Sequence, residues 1–128
     1  MEHRTLIEKW LAVFGNGVDP QMMEDHVTSD GNHLWHLFTW GNVSCLSGEE
    51  ARRAFDALPY EKATRFSDGY AGHIDALSVV RKLSAGEVDA DPDSDVYIVA
   101  DDFSWTYVRT HEPGLGPYLC VKEPHHSH

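Results

Sequence analysis

Residues 95–117 read DVYIVADDFSWTYVRTHEPGLGP. Val96–Ala100 and Phe103–Thr110 are rich in β-branched and aromatic residues and flank the polar pair Asp101–Asp102, which predicts a β-hairpin. In the first strand Tyr97 and Val99 point to one side, and Val96, Ile98 and Ala100 to the other. In the second, Phe103, Trp105, Tyr107, Arg109 and His111 share a face opposite Ser104, Thr106, Val108 and Thr110. Gly114, Gly116 and Pro117 break the alternation.

Downstream of the hairpin, Tyr118–Val121 is a last edge strand, and residues 122–128 (KEPHHSH) form a disordered, His-containing tail. Upstream, EVDADPDSD (87–95) reads as an acidic, solvated loop: it lacks the central Gly and closing Glu of an EF-hand. Ser84 and Glu87 cap one helical turn. Short strands are expected over Lys62–Asp68 and near Leu77–Val80. Ser47 and Glu50 make a capping box for a helix that Pro59 stops, with Ala51, Ala54, Phe55 and Leu58 on its core face.

Thr5 and Glu8 make another capping box, for a helix from Thr5 to Phe14 whose apolar face is Leu6, Ile7, Trp10, Leu11 and Phe14. Asp19-Pro20 starts a shorter helix carrying Met22, Met23, His26 and Val27. His33–Trp40 (HLWHLFTW) reads as a central strand, with bulky residues on both faces. Turns are expected at Asp30-Gly31, Gly41-Asn42, Asp68-Gly69 and Ala71-Gly72. The expected fold class is α+β: one domain over residues 1–121, with a mainly antiparallel sheet of four to five strands and helices packed on it.

A length of 128 residues fits one domain with its own core. The formal net charge of −11 argues against nucleic acid and against an anionic membrane surface, both of which call for clustered Lys and Arg. It suits a basic protein partner. The N-terminus has no apolar signal-peptide core, and no apolar run approaches the ~20 residues of a membrane span, so a cytoplasmic protein is expected. Cys45 and Cys120 are then reduced thiols. The expected assembly is a monomer or small homo-oligomer.

Histidine and acidic residues carry what chemistry the chain offers. His33, His36, His111 and Glu112, with His73 or Asp102 as additions, are residue types that bind zinc or act as acid and base. The metal-ligand candidates are His33, His36 and His111; the catalytic candidates are His36, His111 and Glu112. On a regular strand His33 and His36 point to opposite faces, so no cofactor is expected. Candidate binding side chains are Trp35, Trp105, Tyr107 and Arg109. No G-x-S-x-G elbow, Walker loop or G-x-G-x-x-G occurs.

The stretches HLWHLF (33–38), CLSGEEA (45–51), DVYIVADDFSWTYVRTHE (95–112) and GPY (116–118) resemble an uncharacterised bacterial family, a domain of unknown function. Its small members carry W-H-x-F, C-L-x-G-E-E-A and D-F-x-W-T-Y-V-x-T-H-E in this order, then G-P-Y. The resemblance covers about His33 to Tyr118. Members often have an aromatic residue or Cys before G-P-Y, where this chain has Leu115. It implies a small α+β domain and carries no activity. Small size, strong acidity and the lack of a catalytic set point instead to a non-enzymatic acidic binding protein, such as an immunity, inhibitor or regulatory module. The alternative is a small metal-dependent or general acid–base enzyme built on His36, His111 and Glu112.

Overall fold

The computed structural model describes residues 2–28, 33–39, 43–59, 61–67, 74–78, 82–112 and 114–122. The elements run in the order α1 (His3–Phe14), α2 (Pro20–Met23), a π-helical turn (Glu24–Thr28), a 3₁₀ helix (Leu34–Phe38), β1 (Leu46–Ser47), α3 (Gly48–Ala57), β2 (Lys62–Phe66), β3 (Ile74–Ser78), α4 (Ala85–Asp89), β4 (Val96–Ala100), β5 (Trp105–Arg109) and β6 (Tyr118–Val121). The expected turns at Asp30-Gly31, Gly41-Asn42, Asp68-Gly69 and Ala71-Gly72 lie outside the described residues. So do Trp40, His73, the Val79–Val80 end of the expected strand, and residues 123–128 of the expected tail.

The fold class is α+β. Among the described residues the strands make one antiparallel sheet of six, in the order β1-β6-β5-β4-β2-β3, rather than four or five. Tyr118–Val121, expected at the edge, is covered by the two-residue β1, which is too short to leave a period-2 pattern. The β4–β5 hairpin forms the middle of the sheet, with Val96 opposite Arg109 and Val99 opposite Thr106. Its turn includes Phe103 at φ 58°. That left-handed residue puts the Phe103 side chain on the face opposite Trp105 and Tyr107, not beside them.

Two cores result, one on each sheet face. On one, Leu6, Trp10 and Phe14 of α1 pack with the 3₁₀ helix against Phe66, Tyr97, Val99, Val108 and Cys120. Trp10 lies at its centre, with rings of Phe14, Phe38, Phe66 and Tyr97 about it. Its indole N–H donates to Thr106 Oγ1 at 2.9 Å, and that hydroxyl donates to the Ile98 carbonyl at 2.8 Å. The other core sets Ala51 and Phe55 of α3 and Ala85 and Val88 of α4 against Val96, Ile98, Trp105, Tyr107 and Leu119. Alternating strand residues thus divide between two helical layers.

The segment read as a central strand, His33–Trp40, is the 3₁₀ helix over Leu34–Phe38. Leu34, Trp35, Leu37 and Phe38 are all buried. A short helix buried around most of its circumference shows the same continuous apolar run as a covered strand, so periodicity does not separate them. The boxes expected at Thr5 and Ser47 are not built: α1 starts earlier, after Glu2, and neither N-cap makes a side-chain bond. Asp19 caps α2 through the Gln21 N–H, and Ser84 and Glu87 form a complete capping box on α4.

Candidate functional site

The hairpin's open end gathers His33, His36, His111 and Glu112 about Asp95. Asp95 immediately precedes β4, and His111 lies two residues beyond β5. Because Val96 faces Arg109, these two residues meet at the strand ends. His33, the N-cap of the 3₁₀ helix, reaches the other oxygen of Asp95.

The Asp95 side chain is only 3 % exposed. Its Oδ1 accepts from the His111 backbone N–H at 2.8 Å and lies 2.9 Å from His111 Nδ1; its Oδ2 lies 3.3 Å from His33 Nδ1. A buried carboxylate needs such donors, because desolvation without them costs several kcal/mol. His111 Nε2 is 3.4 Å from Glu112 Oε1, so a carboxylate stands at each nitrogen of that imidazole. The His33 ring stacks parallel to Trp35, with centroids 5.7 Å apart, and meets His111 edge-on at 4.9 Å. Buried Trp35 lies against the rings of His33, His36 and His111.

A 3₁₀ helix has three residues per turn, so side chains three apart share a side. His33 and His36 are accordingly neighbours, with ring centroids 6.3 Å apart, which corrects the opposite-face expectation. His36 also lies against Trp35 at 4.0 Å, and its Nδ1 is 3.5 Å from Thr39 Oγ1. Burial first, then His33 and His26, pull its basicity below the usual imidazole value, against the opposing carboxylates of Asp95 and Glu112.

The ligand atoms of His33, Asp95 and His111 all lie within 4.8 Å of one another. Tetrahedral donors about 2.1 Å from a zinc ion stand about 3.4 Å apart. The two Asp95–His separations, 2.9 and 3.3 Å, are already near that spacing. Two imidazoles and a carboxylate also match the donor types of first-row divalent metals.

The loop that delivers Asp95 is pinned from two sides. Arg65 on β2, buried at 7 % side-chain exposure, forks onto both oxygens of Asp91 and pairs with Asp93. Burial opposes the Arg65 charge, but hydrogen bonds to Asp93 and Asp91 outweigh it and raise its basicity. Arg109 donates to the carbonyls of Asp91, Asp93 and Ser94 at 2.8–3.0 Å. Residues 91–95 are therefore not the solvated loop that their composition predicts.

The remaining candidates lie elsewhere. Trp105 and Tyr107 are in the α3-side core and Trp35 in the other. Arg109 holds the loop. Asp102 is at the hairpin's turn, where it accepts from the Ser104 N–H at 3.0 Å and the Ser104 hydroxyl; the hydroxyl bond first, then the backbone bond, lowers its pKa from the usual carboxylate value. The length of β5 and the residues beyond it separate that turn from His111 by on the order of 20 Å. A cleft of about 490 Å³ lies at the turn end, lined in part by Glu61, Lys62, Asp101 and Trp105. Sequence reasoning missed Asp95. Its one legible signal was an Asp placed directly before a fully apolar strand.

Residues 4–119 match the family described as Domain of unknown function (DUF4275), and the chain belongs to that family. No curated protein and no solved structure shows a significant match. Among the described residues no helix is long and apolar enough to cross a membrane.

Proposed function

We propose that this DUF4275 domain is a non-enzymatic binding protein whose ligand is a divalent transition-metal ion, held by His33, Asp95 and His111. One observation carries the reading: a buried carboxylate lies within 3.3 Å of two imidazole nitrogens, on a loop fixed by Arg65 and Arg109. Glu112, beside the other nitrogen of His111, is placed to accept from its Nε2–H while Nδ1 faces Asp95. Zinc fits the donor set best, since two imidazoles and a carboxylate leave one position for water. This reading departs from the expectation of no cofactor, because that rested on a strand geometry the segment does not have. The acidic surface suits a basic protein as the macromolecular partner.

The test is a calorimetric zinc titration of the full chain with His125, His126 and His128 replaced by Ala, which removes the tail's competing imidazoles. One equivalent is expected to bind. Asp95→Asn, nearly isosteric, is expected to weaken binding roughly 10–100-fold or more while the fold persists by circular dichroism. Zinc affinity unchanged by Asp95→Asn and His111→Ala, or no binding at all, sinks the proposal.

A second reading has its own support. Asp95 orients His111 through Nδ1, as the carboxylate behind a general base does, with half-exposed Glu112 beside the other nitrogen. This makes the domain a small acid–base enzyme with His36 alongside. A hydrolase screen in a chelator tests it: turnover abolished by His111→Gln without any metal requirement favours catalysis over metal binding.

A further inference from the structure

At the sheet's edge, β1 and β6 pair with Leu46 opposite Leu119 and Ser47 opposite Tyr118. Carrying this register one residue outward sets Cys45 opposite Cys120. The Gly48 N–H donates to the Pro117 carbonyl at 2.9 Å, which marks that pair as a hydrogen-bonding position. Alternation then makes Leu46–Leu119 hydrogen-bonded and Cys45–Cys120 not. At non-hydrogen-bonded positions the Cα atoms stand only about 4.5 Å apart, within the range a disulfide spans.

Both cysteines face the same core. Cys120 is buried among Phe38, Val108 and Tyr118, and Cys45 packs partly exposed against that cluster. Cys120 Sγ lies 3.7 Å from the carbonyl of Ser44, the residue before Cys45.

We infer that Cys45 and Cys120 are a thiol–disulfide site, closed by exchange with a low-molecular-weight disulfide, that ties edge strand β1 to β6. The Cys45 thiolate, the more accessible one, attacks a sulfur of RSSR and releases one thiolate, leaving Cys45–S–SR. The Cys120 thiolate attacks the Cys45 sulfur and displaces the second. One RSSR is reduced to two RSH, and the two cysteine protons end on the released thiols. Burial raises both thiol pKa values, that of Cys45 to about 11, so exchange is slow at neutral pH and accelerates with alkalinity. The closed bond spans most of the chain and restricts its unfolded state.

The full-length protein would be incubated with oxidised glutathione at about pH 9.5 for about a day and analysed without reduction. A monomer lighter by about two daltons is expected, with a Cys45–Cys120 cross-linked peptide and a thermal midpoint raised by roughly 10 °C that dithiothreitol reverses. Cys45→Ser is expected to form no internal bond while its unoxidised midpoint stays close to the parent's. A persistent glutathione adduct, a disulfide-linked dimer, or two free thiols under these conditions each overturns the inference. None of these outcomes bears on the metal site.

Discussion

Tyr107 and Thr106 are neighbours on β5 with opposite debts to hydrogen bonding. The Tyr107 ring stacks on Phe55 at 4.0 Å, and its hydroxyl is buried without a hydrogen-bond partner among the described residues. Removing that hydroxyl removes an unsatisfied group, so Tyr107→Phe is expected to leave stability unchanged or raise it by about 1 kcal/mol in urea titrations. Thr106→Val strips the acceptor from the Trp10 N–H and is expected to cost about 1–3 kcal/mol. Burial raises the Tyr107 pKa to about 12. A phenol whose pKa is higher folded than unfolded keeps its proton longer in the native state. Its contribution is therefore complete below about pH 10, the unfolded value, and is lost as pH climbs toward 12. Chemical denaturation between pH 9 and 12, repeated on Tyr107→Phe, checks the sign: the substitution should flatten the alkaline loss. Cys45 adds a similar slope starting lower, so the comparison is best made in Cys45→Ser. At this scale the sequence was partly legible. His33 and His111 could be picked by residue type, but Asp95 could not, because no composition rule says which of several loop acids becomes buried.

Elements were legible where local chemistry alone decides them. The hairpin, α4 with its Ser84 cap, and the Asp19-Pro20 start are set by neighbouring residues. The 3₁₀ helix was not legible, because its apolar run does not differ from that of a covered strand, and the contact that anchors it, the Trp35 backbone N–H donating to the Tyr97 hydroxyl at 3.1 Å, is long-range. Capping shows the same division. Ser84→Ala removes a bond actually made to the Glu87 N–H and is expected to cost about 1 kcal/mol. Thr5→Ala and Ser47→Ala remove no cap bond and are expected to stay within about 0.5 kcal/mol. Thermal melts of the three variants side by side would expose any reversal. The loop between α4 and β4 depends on Arg65. Arg65→Lys keeps the charge but loses the fork onto Asp91, and is expected to cost about 1–2 kcal/mol. If that fork also aims Asp95 at the histidines, Arg65→Lys should weaken zinc binding several-fold in protein that remains folded at the assay temperature. Unchanged affinity would reduce the fork to a stabilising role.

On the scale of the whole molecule, charge is the property read most directly and topology the least. The order β1-β6-β5-β4-β2-β3 brings the first and last strands together through pairings across 70 or so residues, which no local pattern encodes. Charge needs no fold: 21 acidic against 10 basic side chains give −11. Glu24, Asp25, Glu49, Glu50, Asp56, Glu87, Asp101 and Asp102 are all exposed, so self-repulsion acts on the surface, where salt screens it over about 10 Å at 0.1 M. The ion pairs of Arg65 are largely buried and are screened less. Added sodium chloride should therefore relieve repulsion more than it weakens attraction, and the thermal midpoint should rise by a few degrees between low and about 0.5 M salt. The same screening governs the proposed basic partner. Its association rate should fall steeply over that range, since steering by −11 charges is a long-range effect. A pull-down from cell extract would then retain the partner at low salt and release it at high salt. Stability that falls with salt would mean that attractive pairs dominate the surface. A partner held equally at both salt concentrations, or no partner at either, would remove the acidic surface from the binding mechanism.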